Sequence, residues 1–282
     1  MKFLALLFIV YPLALNAFSF SDEPSSKAAP LEINAANGMI CSQDKKRCTA
    51  LGPVVSTKGT SILKCQKLVV HFQDTPQTQQ ASSVSQDIKK LEAFGGVQFF
   101  DVKGGFKATG QYAQYRPELG QLRLKGNPIL KDAETVVLAG SEVIFYENSR
   151  MATTVGRSTI KRGDKLMQAD VLKVYFTKGA DDKLVFDRLE AEGNVVISTP
   201  AEIAKARRGI YRHKTQIAEL FDDVVITKTD GQLRGNYGRY DMLSGQSQIF
   251  NNKGDVPSSQ RVQAILNSKP LKNKKKKSDG SS

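Results

Sequence analysis

The sequence predicts an all-β protein, an elongated β-roll of stacked antiparallel hairpins. Three observations carry that expectation: apolar residues on alternate positions, a unit of about 30 residues that recurs, and glycine-bearing turns between the runs. In Leu189, Ala191, Gly193, Val195 and Ile197 one parity is apolar or small, and Glu190, Glu192, Asn194 and Ser198 stand between them. A period of two marks a strand with one buried face. The same parity joins Leu122, Leu124, Pro128 and Leu130, then Ala93, Val97 and Phe99, then Leu220, Val224 and Ile226. No segment shows a persuasive period of 3.6.

The repeat consists of a glycine, an apolar or β-branched run, a turn, a small residue and an aromatic. It runs from Gly52 to Phe72, Gly95 to Tyr115, Gly126 to Tyr146, Gly156 to Phe176, Gly193 to Tyr211, and, with Asp222 in the glycine position, to Tyr240. The small residues are Cys65, Ala108, Ala139, Ala169, Ala204 or Ala206, and Gly235. Each unit has room for about three short strands. A hairpin of that size cannot bury its own face, so the units must stack to form a continuous core. Lys103-Gly104-Gly105, Glu118-Leu119-Gly120 and Lys178-Gly179-Ala180 are turn signals, and Gly95-Gly96 is read as a turn as well. The stretch Asp74 to Asp87, rich in Gln, Ser and Thr, is a polar loop. A roll of this kind ends in two strand edges that want partners.

Residues 1–17 read as a secretory signal peptide. Met1 and Lys2 are a basic start, Phe3 to Leu15 is apolar apart from Tyr11 and Pro12, and Ala17 closes on a small residue. The alternative is a retained anchor, but the apolar run falls short of the ~20 residues that span a bilayer. Residues 18–30 are a linker, 31–266 the repeats, and 267–282 a disordered lysine-rich tail, which is solvated or else touches anionic headgroups. Export permits disulfides. With Asp44-Lys45 at a hairpin tip, Cys41 and Cys48 face each other as a cross-strand disulfide or as two reduced, small apolar side chains. Cys65 is expected as a buried, unreactive thiol.

Lys plus Arg number 41 against 28 Asp plus Glu, a formal charge of +13, which favours an anionic partner. Nucleic acid is disfavoured, because the chain is exported and no aromatics stack within a basic face. Arg207 and Arg208 are expected to face solvent. With two histidines, His71 and His213, and neither at ligand spacing, no metal site, cofactor or catalytic group is expected.

Leu31-Glu32-Ile33-Asn34-Ala35-Ala36, the Asp44-Lys45-Lys46 turn and Ala50-Leu51-Gly52-Pro53-Val54-Val55 resemble the opening of the LptA/OstA-like family of periplasmic lipopolysaccharide-transport bridge proteins. Leu124-Lys125-Gly126-Asn127-Pro128 and Glu192-Gly193-Asn194-Val195 resemble its recurrent Gly-Asn-apolar strand, and Arg261 to Leu266 its C-terminal end. The resemblance implies a twisted β-jellyroll open along one side, whose apolar groove holds the acyl chains of lipopolysaccharide. It further implies a periplasmic, non-enzymatic carrier linked head to tail with further copies, or with inner-membrane and outer-membrane transport proteins. A membrane-tethered relative and a lipid-free structural or adhesive roll are the alternatives. The groove candidates are Val97, Phe99, Leu122, Leu124, Leu130, Leu189, Val195, Ile197, Val224 and Ile226; plain core packing of a closed roll is the other reading of the same stripe. The chain departs from the family pattern in its extra repeats and in Cys41 and Cys48.

Overall fold

Strands bend where the repeat places its glycines. In this computed structural model, which describes residues 30–73, 88–101, 105–179, 184–251 and 261–266, twenty strands form one antiparallel sheet. They are β1 (Glu32–Ala35), β2 (Met39–Ser42), β3 (Arg47–Lys58), β4 (Ser61–Phe72), β5 (Ile88–Asp101), β6 (Phe106–Arg116), β7 (Gln121–Lys125), β8 (Ile129–Lys131), β9 (Thr135–Leu138) and β10 (Glu142–Tyr146). There follow β11 (Met151–Val155), β12 (Ser158–Arg162), β13 (Lys165–Ala169), β14 (Val171–Lys178), β15 (Leu184–Ser198), β16 (Glu202–Arg212), β17 (Ile217–Lys228), β18 (Gly231–Asp241), β19 (Gln246–Phe250) and β20 (Gln263–Leu266). The signal-peptide, linker, Asp74–Asp87 loop and lysine-tail assignments lie outside the described residues, as does most of the Lys103-Gly104-Gly105 turn.

The register slips in mid-strand between Leu51 and Val54, Phe94 and Val97, Glu192 and Val195, and Phe221 and Val224. At the third of these, Gly193 and Asn194 take φ of 74° and 48°. Two successive left-handed residues turn the chain without ending the strand, at low cost for glycine and asparagine. Asp222 and Asp223 do the same at φ 63° and 54°, which is why aspartate replaces glycine there. The sequence reading of Gly95-Gly96 as a turn is thereby corrected: both lie inside β5. So is the count of three short strands per unit. In the outer copies a unit is two long, bent strands, because a positive φ redirects a strand as readily as it closes a hairpin.

Each bent strand contributes one arm to each of two leaves. The first leaf holds β2, the early arm of β3, the late arm of β4 and onward through β7, β10, β11 and β14 to β19; the second holds β1, the other arms, and β8, β9, β12, β13 and β20. In the middle of the chain the strands break at the bend, yet the backbone stays paired there. Gly126 N–H donates to Ser141 O at 3.2 Å, Ser141 N–H to Val155 O at 2.9 Å, and Asp170 N–H to Gly193 O at 2.9 Å.

The ladders close a circuit of ten strands in the order β6, β7, β10, β11, β14, β15, β13, β12, β9, β8 and back to β6. Strands outside the circuit extend it at both ends. The sheet is therefore all-β as expected, but its hydrogen bonding forms a closed ring rather than displaying the opening implied by the resemblance. The circuit passes between leaves only through β6 and β15, which are themselves continuous around the bend. At ~4.8 Å per strand, the first leaf is about 60 Å long. Each end carries two short strands: β1 and β2 on β3, and β19 and β20 on β18.

Cys41 and Cys48 are direct cross-strand partners with Cα atoms 4.1 Å apart, joined as a disulfide. It pins an edge hairpin whose β2 residues are mostly exposed. Closing so short a loop is worth about 2 kcal/mol. In the double variant Cys41→Ser/Cys48→Ser we expect faster amide exchange at Met39–Ser42, with the core strands unchanged; equal loss of protection throughout would show that the bridge stabilises the whole roll.

Candidate functional site: the apolar interior

All ten groove candidates lie in one continuous cluster between the leaves. Val97, Leu189, Val195, Ile197 and Val224 are at most 1% exposed, and Phe99, Leu122, Leu124, Leu130 and Ile226 are also buried. Alternation places them there: from Leu189 to Glu192 in β15 buried and partly exposed residues alternate, and the alternation resumes in phase beyond the two-residue bend. Each such side chain, moved out of water, contributes about 1.5–3 kcal/mol. The interior is thus the principal store of folding energy as well as the candidate site.

The repeat's small residues have a steric cause. Directly beyond the bend, Val54 faces Cys65, Val97 faces Gly110, Val195 faces Ala206 and Val224 faces Gly235. The leaves converge there, so a branched side chain on one strand requires a small one opposite. Of the two alanines proposed for the fifth copy, Ala206 holds this position; in the second copy Gly110 holds it, while Ala108 packs one step further out, against Phe99. Cys65 is buried. Desolvation pushes its thiol up, against smaller opposing hydrogen bonds from the Lys67 and Phe94 backbone, so it stays protonated and inert.

The interior leaves little free space. A small cavity of about 30 Å³ lies among Leu68, Leu91, Ala113 and Leu124 of the first leaf and Val97 and Phe99 of the second. Its lining is apolar. Sequence reasoning missed four of the largest fully buried side chains, Phe106, Phe145, Leu68 and Leu172. Parity was the available signal for two of them: Phe145 follows Val143 and Leu172 precedes Val174 in period two.

Charged groups border the interior and cover its outside. Glu202, almost fully buried, faces Lys228 Nζ at 3.6 Å across a register pair; burial raises its carboxyl, and Lys228 pulls the other way. On the outer face of the first leaf, carboxylates alternate with cations across strands: Arg123 grips Glu142 through two hydrogen bonds, Lys173 pairs with Glu192 at 2.8 Å, and Arg212 with Glu219. Glu219 also accepts from the Tyr237 hydroxyl at 2.6 Å. Arg207 and Arg208 are solvent-facing, as expected, and they clamp Asp223 and Asp222 at the bend.

Glu92 is the hub of the first leaf. Burial alone would raise its carboxyl, but hydrogen bonds from Lys90, the Tyr112 hydroxyl at 2.7 Å and His71 at 2.9 Å together outweigh it and hold the pKa at about 2. Burial first, then the hydrogen bond to Glu92 and the charge of its carboxylate, push Tyr112 up to about 12, against smaller opposing contributions from Gln114 and Arg116. A carboxylate depressed in the folded state stabilises the protein fully above its unfolded pKa, near 4.5, and loses that contribution as pH falls toward 2. The loss is roughly 2 kcal/mol after discounting for solvent. We expect Glu92→Gln to flatten the fall in urea midpoint between pH 5 and pH 3; an undiminished slope would assign acid lability to other groups.

Among the described residues no cluster of His, Cys, Asp or Glu could hold a metal ion, and no helix is long and apolar enough to cross a membrane. What the fold and interior define is an all-β roll built around a continuous apolar core. The chain belongs to the family described as LptA/(LptD N-terminal domain) LPS transport protein, whose model matches residues 32–150 and again residues 141–246. Family membership connects the chain with lipopolysaccharide transport. The two matches overlap at β10 and the turn after it, and both lie in one uninterrupted sheet. The family model thus fits the chain twice within one sheet. Among solved structures, the chain is similar to LptH, the LptA homologous periplasmic component of the conserved lipopolysaccharide transport device from Pseudomonas aeruginosa. Identity is 12%, with 58% of this chain and 95% of that chain covered and a TM-score of 0.27. No curated protein matches.

Proposed function

We propose that the chain is a periplasmic lipopolysaccharide carrier whose interior receives acyl chains when the leaves part. The observation that carries this reading is the unbroken apolar stripe from Val54 to Ile226, to which both leaves contribute. Among the described residues no ladder joins the two rows of turns opposite the bend, so that side can open with the backbone pairing intact. Opening separates apolar surfaces that are packed together in the closed roll. Each methylene admitted contributes about 0.8 kcal/mol in return, so a few acyl chains offset a substantial separation.

In this reading residues 1–17 are a cleaved signal peptide, and residues 267–282 are a solvated tail. The paired short strands at either end, β1 with β2 and β19 with β20, would join head to tail with further copies or with inner-membrane and outer-membrane partners by strand addition. No catalytic step is involved. In this reading a roll long enough for two matches of the family model would let fewer copies span a given distance.

The small free volume favours a second reading, a lipid-free structural roll. A photo-crosslinking side chain at Phe99 tests between them. Capture of lipopolysaccharide in intact envelopes is expected. Absence of capture there, together with gently purified protein that yields no lipid A on extraction, would overturn the carrier reading.

A further inference from the structure

The two outer faces of the roll differ in charge. On the first leaf, Glu92, Glu142, Glu190, Glu192 and Glu219 stand among the cations and pair with them. On the second leaf the outward strand positions carry Lys64, Lys107, Lys131, Lys161, Lys205 and Arg234, all exposed. Beyond Glu32 on the edge strand, no described outward strand position of that leaf is a carboxylate; its described acidic residues Asp132, Glu134, Asp164 and Asp230 stand in the turns at its rim. Between the cations stand apolar side chains left in water: Ile129 is 42% exposed, Leu138 45% and Ile203 42%. Phe100 lies among them, with the ammonium groups of Lys64 and Lys107 over its ring at 5.5 and 5.1 Å.

We propose that this face docks on an anionic phospholipid surface. These five lysines and Arg234, on six of the strands between β4 and β18, form a broad positive patch that complements a sheet of phosphates. The interleaved apolar side chains suit the boundary between headgroups and acyl chains, which an aqueous acidic protein or a nucleic acid does not offer. Phe100 is the one aromatic side chain among these described positions, too few for a base-stacking surface. Such docking would lay the roll along a leaflet with its interior beside the lipids. It is independent of what the interior binds.

The test is co-sedimentation of the full chain with vesicles of phosphatidylcholine alone and of phosphatidylcholine with about 30% phosphatidylglycerol. Binding is expected only to the anionic vesicles and should fade as salt rises. Each basic residue near such a surface strengthens partition roughly fivefold. The quadruple variant Lys107→Gln/Lys131→Gln/Lys161→Gln/Lys205→Gln should therefore bind at least about tenfold more weakly, with an unchanged melting temperature. Arginine at the same four positions should retain binding. Replacing Lys274 to Lys277 of the tail by glutamine separates the tail's contribution. The proposal is overturned if the face variant binds like the parent, if the tail variant alone abolishes binding, if neutral vesicles bind equally, or if no vesicle binds. Crosslinking at Phe99 reads the interior separately, so failure of either idea leaves the other measurable.

Discussion

Gly126→Val should lower the melting temperature by roughly 6–12 °C. Gly126 follows β7 at the bend with φ 87°, where a branched side chain is strained by ~1–3 kcal/mol. A Cβ there would also lie 2.6 Å from Cβ of Gln111 and 3.2 Å from its backbone nitrogen. Gln111 belongs to β6, one of the two strands that carry the circuit between leaves, so it cannot retreat without disturbing the ring. Together strain and overlap amount to about 3 kcal/mol, and for a chain of this size each kcal/mol moves the midpoint by ~2–4 °C. Gly163→Val is the matched control. It also has a positive φ, 57°, but nothing within 4 Å of the added carbon, so its deficit should be about half as large. Equal deficits would mean that space at the bend is not limiting and that the glycine repeat reflects backbone conformation alone.

That comparison also shows why the fold was legible in part. Alternation in β15 and β17 marked the inward stripe correctly on both sides of the bend, because a two-residue bulge preserves parity. The glycine spacing revealed the repeat for the same reason. What glycine could not reveal was whether its positive φ closes a hairpin or bends a strand. Gly120 does the first, after the 3-10 turn at Pro117–Leu119, and Gly193 does the second. Local sequence is nearly silent on the difference, since it depends on whether the neighbouring strand bends at the same level. The closed circuit was equally invisible: β6 pairs with both β7 and β8, and β15 with both β13 and β14, through long-range registers that no short window encodes. The groove candidates were found by parity, whereas the tightness of their packing depends on how close the leaves lie, a distance set by the Val54–Cys65 type of pair. The charge asymmetry between the two outer faces emerges only once strand order is known, because Lys107, Lys131, Lys161 and Lys205 are far apart in the chain.

Phe106→Ala addresses stability and the carrier reading together. The ring is 1% exposed, on the inward side of β6 next to Ala108 and the small cavity's lining. Removing it should cost ~3–5 kcal/mol, the range for a buried phenylalanine whose surroundings relax incompletely. If the interior is only a packed core, that deficit is the whole effect, and lipopolysaccharide shifts the melting temperature of both proteins equally or not at all. If the leaves part to admit acyl chains, two consequences follow. The parent is stabilised by ligand as RT ln(1 + [L]/Kd), where the Kd already includes the work of separating the leaves. In the variant part of that work has been done by the truncation, so bound lipid refills the vacated volume and the ligand-induced rise in melting temperature is larger than in the parent. A larger rise in the variant at matched lipopolysaccharide concentration is therefore the expected result. A rise of equal size would place the lipid away from Phe106, and no rise in either protein would remove the physical basis for an interior binding site.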